Sequence, residues 1–162
     1  MFTAFISLFF GIGGFFISFL WQWLGATPCY LCILERWTFL EAGLFATPVL
    51  FISSTLWQQR LLAISGASWL GLMIILAYHM GIQFKWFSLP HYCQSAVPLE
   101  GNPLDILVYL TQKPQTTCDA IEFTFLGLPP TFYMLILSSF LTVLCFITFF
   151  KNFSSKPSNK HT

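Results

Sequence analysis

Gly25-Ala26-Thr27-Pro28-Cys29-Tyr30-Leu31-Cys32-Ile33-Leu34-Glu35-Arg36 separates two long apolar runs, and its reading decides the fold. On its N-terminal side, Phe2 to Leu24 is uncharged. About 23 residues at about 1.5 Å each cross a hydrocarbon layer of about 30 Å, so a transmembrane helix is expected there. On its C-terminal side a second run extends from about Ile33 to Leu56. Two thiols and a cation are thereby placed at a membrane surface, a setting for redox chemistry rather than for packing.

Composition agrees with a membrane protein. The chain has 162 residues, 56% hydrophobic and 8% charged, with 20 Phe and 6 Trp, and a mean hydropathy of +0.73. Soluble domains carry about 25% charged residues. The net charge of +1 and the lack of a basic block argue against a nucleic-acid partner. A single membrane domain, 1–162, is expected.

Trp21 and Trp23 mark the interface where the first span leaves the bilayer. A signal peptide fits poorly, because the run exceeds an h-region and has neither a basic lead nor an A-x-A site. The spans are read as about 2–24, 33–56, 61–79 and 128–150. Pro28 can open the second helix, with Cys29 and Cys32 in or beside its first turn, and Pro48 is expected to kink it. Trp57-Gln58-Gln59-Arg60 reads as the turn into the third span. Ala63, Ala67 and Gly71 recur every four residues there, a smooth stripe for another helix.

Residues 81–127 are less apolar, punctuated by prolines, and carry two cysteines. Asn102-Pro103-Leu104-Asp105 reads as the start of a short helix, on the bilayer or on the protein surface, with Asn102 as N-cap and Pro103 at the first helical position; Pro114 ends it. The tail 151–162 holds three lysines and no acid, and Arg60 lies in the other loop of that side, so both termini are expected in the cytoplasm. The fold class is then all-α membrane protein, a four-transmembrane-helix bundle. Its two non-cytoplasmic loops share one side, and the second is long and carries the surface helix.

Of the five cysteines, 29, 32, 93 and 118 lie outside the apolar runs, suiting disulfide chemistry on an oxidising side. Cys145 sits deep in the last run and reads as packing. Cys29 and Cys32 allow a tight disulfide, and a helix N-terminus favours the reactive thiolate. Arg36 follows Cys32 at i+4 on the same helical face, where a cation stabilises a thiolate or a reduced acceptor. Its bland reading is a snorkelling interfacial anchor. Glu35 adds a second charge, and intramembrane charge is costly. Cys93 and Cys118 bracket about 24 residues, so a bridge between them could equally be a structural staple contributing about 3 kcal/mol. A four-cysteine zinc site is disfavoured by the wide second pair, and no metal is expected.

Pro28-Cys29-Tyr30-Leu31-Cys32-Ile33-Leu34-Glu35-Arg36 resembles the P-C-x-L-C-x-x-E-R signature of the DsbB family. Cys118, followed after six residues by Phe125-Leu126-Gly127-Leu128, resembles it too, as does the spacing of the two cysteine pairs. The resemblance runs from the first span to the last. It implies a four-helix bundle in the bacterial inner membrane, with periplasmic cysteine loops, that reoxidises a periplasmic DsbA-like thioredoxin-fold oxidase and passes electrons to a ubiquinone- or menaquinone-class acceptor. By position, Cys93 takes the attack of the reduced partner, Cys118 attacks Cys29, and Cys32 is freed beside the quinone, with Arg36, Glu35 and His79 in the cofactor site. His79 corresponds to a histidine near the quinone in the family, or it is an interfacial hydrogen-bonding residue.

The chain departs from the family pattern in its short lead before the first span and in Pro129-Pro130-Thr131-Phe132, where a single proline followed by an aromatic is usual. Glu41 matches no family position. Two alternatives accompany this reading: a DsbB relative serving a dedicated oxidase, and a noncatalytic membrane assembly factor stapled by Cys93 and Cys118.

Overall fold

The structure, a computed structural model, describes residues 2–94, 116–121 and 123–154. These fold as four α-helices with no β-strand among the described residues: α1 (Phe2–Trp23), α2 (Tyr30–Ala46), α3 (Thr55–Gln83) and α4 (Pro130–Ser154). Short 3-10 turns follow α2 at Thr47–Leu50 and carry the third cysteine at His91–Cys93. The expected helix at Asn102 and the tail beyond residue 154 lie outside the described residues. Three helices, α1, α3 and α4, are long and apolar enough to cross a membrane. Their outward faces carry exposed Phe5, Phe9, Phe16, Ile74, Ile136 and Phe140, as a lipid-facing surface requires.

The second run differs most from its expected course. Its helix opens at Tyr30, ahead of the apolar run from Ile33 but with Cys29 and Cys32 at its first turn as expected: Cys29 has extended backbone and its sulfur accepts the Cys32 N–H, an N-cap made by a cysteine. It ends at Ala46 rather than kinking. Pro48 has no N–H for the α ladder, and the chain tightens into the 3-10 turn Thr47–Leu50. With 17 residues and Glu35, Arg36 and Glu41 inside it, α2 is not among the three long apolar helices.

Two boundaries of α3 also move. Trp57 to Arg60 is not a turn but part of the opening of the helix, where the Gln58 N–H donates to the Ser54 carbonyl at 3.0 Å. Straight-chain Leu, Gln and Arg favour helix there once a start is set. At the other end the helix continues to Gln83, so the following loop begins later than residue 81. Likewise α4 starts at Pro130, a residue suited to the first helical position, and carries Lys151 in its last turn.

The Ala63-Ala67-Gly71 stripe does not meet another helix: Ala67 is exposed and a Cβ on Gly71 would meet nothing within 4 Å. The smooth contacts lie elsewhere. A Cβ on Gly11 of α1 would stand 2.6 Å from the Gly43 Cα of α2, and one on Gly66 of α3 would stand 3.1 Å from the Cys145 Cβ of α4. Absent side chains thus let backbones close.

The helices pack in chain order, α1 on α2, α2 on α3 and α3 on α4, whereas α1 and α4 meet only sparsely. Phe39, Trp69, Leu72, Leu76, Leu141 and Cys145 centre the core. A polar thread ties three helices inside it: Trp69 Nε1 donates to Ser7 Oγ at 2.7 Å, Ser7 and Ser65 share a 2.9 Å bond, and Ser65 Oγ reaches the Ala42 carbonyl at 2.9 Å. Cys145, buried and unbridged, is packing material, as expected.

Candidate active site

Alternating helix direction brings the end of α1, the start of α2, the end of α3 and the start of α4 to one end of the molecule, and every expected site residue is there. Cys29 and Cys32 form one disulfide, with Cα atoms 5.1 Å apart. Cys93 and Cys118 form the other, with Cα atoms 5.2 Å apart. The two bridges share one buried cluster with Leu31 and Ile82. The second pair is therefore docked on the first: Cys118 is 0% and Cys93 2% exposed. Within the second pair, the Cys118 N–H donates to the Cys93 carbonyl at 3.2 Å. Thr116 Oγ1 donates to the Thr27 carbonyl at 2.6 Å, tying the segment to the chain just before Cys29.

His79, 1% exposed near the end of α3, links the two bridges. Its Nδ1 donates to Glu35 Oε1 at 2.7 Å. Its Nε2 lies 3.7 Å from Cys29 Sγ and 3.2 Å from the Cys118 carbonyl oxygen. The carboxylate therefore sets the ring's orientation, and the ring's other nitrogen faces sulfur. Gln83 borders the same nitrogen at 3.5 Å and accepts from Thr131 Oγ1 at 2.6 Å, which joins α4 to the site.

Arg36 does not snorkel. It is 8% exposed. Its Nη1 donates to Gln22 Oε1 at 2.7 Å and its Nη2 to the Ser18 carbonyl at 3.1 Å, and its guanidinium carbon lies 4.3 Å from the Phe19 ring centroid. Its buried Nε has no partner among the described residues. Arg36, Cys29, Cys32, Glu35 and His79 all line one cavity of about 430 Å³, between α1 and α4 where those helices meet least. Its walls are mainly apolar, with Ile17, Trp21, Phe39, Leu76 and Met134 among them. A cavity of that size with a few convergent polar groups takes a small, largely apolar molecule.

The family model of "Disulfide bond formation protein DsbB" matches residues 1–148. The chain belongs to the DsbB family. Comparison with curated proteins and with solved structures finds no match. Membership of DsbB, with two disulfides in contact and three helices able to cross a membrane, points to a membrane-bound disulfide oxidoreductase.

The DsbB-like Phe125-Leu126-Gly127-Leu128 has a physical explanation here. Phe125 and Leu128 exchange both backbone hydrogen bonds, at 2.9 and 3.0 Å, while Leu126 and Gly127 between them have φ of 51° and 79°. Such a tight turn requires left-handed backbone at both central positions, which glycine supplies without cost. It delivers the chain from Cys118 into α4.

Four site residues escape a reading of the sequence: Ser18, Gln22, Gln83 and Thr131. Gln22, flanked by two tryptophans, reads as an interfacial residue, and Thr131 as a helix-start residue. Gln83 alone had a signal, since it stands at i+4 from His79 on one face of α3. Glu41 is exposed on α2 and takes no part in the site.

Proposed function

We propose that this protein is an inner-membrane thiol-disulfide oxidoreductase that reoxidises a periplasmic DsbA-like dithiol oxidase and passes the electrons to a membrane quinone. One observation carries the reading: the Cys29–Cys32 bridge lines an apolar cavity holding a buried Arg36, while the Cys93–Cys118 bridge is packed against it. A donor in water and an acceptor in lipid are then served by two dithiols in contact.

α2 completes the bundle as a fourth span. Its 17 helical residues and the four of the 3-10 turn cover about 33 Å at about 1.5 and 2.0 Å per residue. Both termini then lie in the cytoplasm and the cysteine segments in the periplasm. Arg60 and Lys151, at the end away from the cysteines, accord with that orientation.

The relay begins when a thiolate of the reduced partner attacks Cys93, forming a mixed disulfide and releasing Cys118 as thiolate. Cys118 attacks Cys29, and the broken Cys29–Cys32 bond leaves its electron pair on Cys32. The second partner thiol then attacks the partner's own sulfur in the mixed disulfide, which releases oxidised partner and Cys93 as thiolate; Cys93 attacks Cys118, re-forming the Cys93–Cys118 bridge and leaving Cys29 and Cys32 reduced. A quinone held in the cavity beside Cys32 and Arg36 would supply a two-electron, two-proton acceptor. Arg36, its guanidinium held in place by the accepting Gln22 Oε1 and Ser18 carbonyl, stabilises negative charge on Cys32 and orients the acceptor. Glu35 holds His79, whose Nε2 faces Cys29 and can hold a proton for the sulfur or for the acceptor. Apolar walls exclude water. In the net balance, two partner thiols lose two electrons and two protons, which the quinone takes up.

The test uses purified protein, a reduced DsbA-like dithiol and a ubiquinone or menaquinone analogue, read by quinone absorbance. Thiol-dependent reduction that vanishes in Cys32→Ser is expected, and undiminished turnover in that variant would overturn the relay. Cys93→Ala should abolish mixed-disulfide trapping with the partner, whereas a mere staple would lower stability and leave trapping intact.

A further inference from the structure

The ligand atoms of Cys29, Cys32 and His79 all lie within 4.8 Å of one another. Around a tetrahedral zinc, with Zn–S about 2.3 Å and Zn–N about 2.0–2.1 Å, neighbouring ligand atoms stand roughly 3.4–3.8 Å apart. The 3.7 Å between Cys29 Sγ and His79 Nε2 already has that spacing. While the two sulfurs are bonded to each other they offer no thiolate. Reduction by a dithiol, which delivers two electrons and two protons, turns them into two thiols within 4.8 Å of the same imidazole.

The geometry points to a metal site that exists only in the reduced protein: Cys29 and Cys32 thiolates and His79 Nε2 binding Zn²⁺ or another thiophilic divalent cation. Binding displaces the two thiol protons, and the two sulfur charges neutralise the ion, so no net charge is left in the buried site. This is not the four-cysteine cage that the sequence disfavours. It uses one close pair and a histidine from another helix.

Three features shape it. Cys29 caps α2, and the Cys32 N–H donates to its sulfur at 3.1 Å, which holds the first thiolate in place. Glu35 accepts from His79 Nδ1, so Nε2 keeps the lone pair a metal needs and points it at the sulfurs. A carboxylate behind a ligating histidine is the usual support of zinc sites. The Cys118 carbonyl oxygen, 3.2 Å from Nε2, borders the fourth position. Its spacing is close to the roughly 3.4 Å expected for two ligands at about 2.0–2.1 Å.

A metal-held dithiol has no free thiolate to give up electrons, so zinc acts as a reduced-state inhibitor. That consequence rests on the function proposed above, whereas the binding itself does not.

The probe is Co²⁺, followed by Zn²⁺, titrated into the full-length protein in detergent after reduction with dithiothreitol and its removal under argon. One equivalent of cobalt should give the sulfur-to-metal charge-transfer band and the visible bands of a tetrahedral thiolate site, and zinc should displace it. The oxidised protein should give neither. A Cys93→Ser/Cys118→Ser double variant, which removes the thiols of the other bridge, should keep the spectrum. Cys32→Ser and His79→Gln should lose it, and Glu35→Gln should weaken binding by about 10- to 100-fold. Circular dichroism checks that each variant is folded. Equal binding by oxidised and reduced protein, or a folded His79→Gln variant that binds cobalt like the parent, overturns the site. Failure of the proposed function shows separately, as absent quinone reduction in metal-free protein.

Discussion

Replacing Gly11 with alanine tests the contact that holds α1 on α2, and Gly13 on the same helix supplies the control. A Cβ at position 11 would stand 2.6 Å from the Gly43 Cα, 2.7 Å from its nitrogen and 2.8 Å from the Phe39 carbonyl oxygen. All three are backbone atoms, so no side chain can swing away. Ordinary carbon contacts lie at about 3.5–4.0 Å, and the two helices must part by about 1 Å. Forcing a methyl group into a filled contact costs about 1–3 kcal/mol. At Gly13 the same Cβ meets nothing within 4 Å. Both substitutions gain about 1 kcal/mol of helix propensity, so the difference between them isolates the clash. Gly13→Ala should stabilise by about 1 kcal/mol and Gly11→Ala should fall about 1–3 kcal/mol below it. Unfolding in mixed dodecyl maltoside and SDS, followed by circular dichroism, measures both. The parting of α1 should also draw Ser18 and Gln22 from Arg36, raising the KM for quinone in Gly11→Ala alone. Equal stability of the two variants would refute the backbone contact and the account of α1 built on it.

Arg36→Lys should raise the KM for quinone about tenfold or more, since an ammonium cannot reach Gln22 Oε1 and the Ser18 carbonyl together as the guanidinium fork does; steady-state kinetics with a soluble quinone analogue check this, and an unchanged KM removes Arg36 from the site. Trp69→Phe should cost about 1 kcal/mol through loss of the bond to Ser7 Oγ, and a folded variant with parental stability would show that the thread through Ser7, Ser65 and Ala42 does not depend on it. Cys145→Ala should leave mixed-disulfide trapping and quinone reduction at parental rates, because that sulfur is packed between α3 and α4 far along the bundle from the bridges; loss of trapping would place a fifth cysteine in the relay.

Membrane character was legible because about 23 apolar residues in a row have few other uses in a folded chain. The Cys29–Cys32 pair was legible because close cysteine spacing beside a proline and an Arg at i+4 stands out in the local sequence. Boundaries were not. Pro28 did signal that the second helix opens at the cysteines, ahead of the apolar run from Ile33, but that a cysteine sulfur caps it could not be read from the chain. Pro48 looked like a kink, but a kink needs helix on both sides, and here the chain leaves the α ladder at Ala46. The Ala63-Ala67-Gly71 stripe failed because small residues permit close approach without requiring a neighbour.

From the sequence alone came the apolar spans, the four cysteines outside them and a cation one turn from the second, since these depend on residue type and short spacing. Only the tertiary structure decided which face of each helix looks inward, because that depends on partners far away in the chain. It set Glu35 on His79, Arg36 on Gln22, and the second bridge on the first. A hydrogen bond across 44 residues, such as His79 to Glu35, leaves no periodic trace in the sequence. The helices must pack before the two side chains become neighbours.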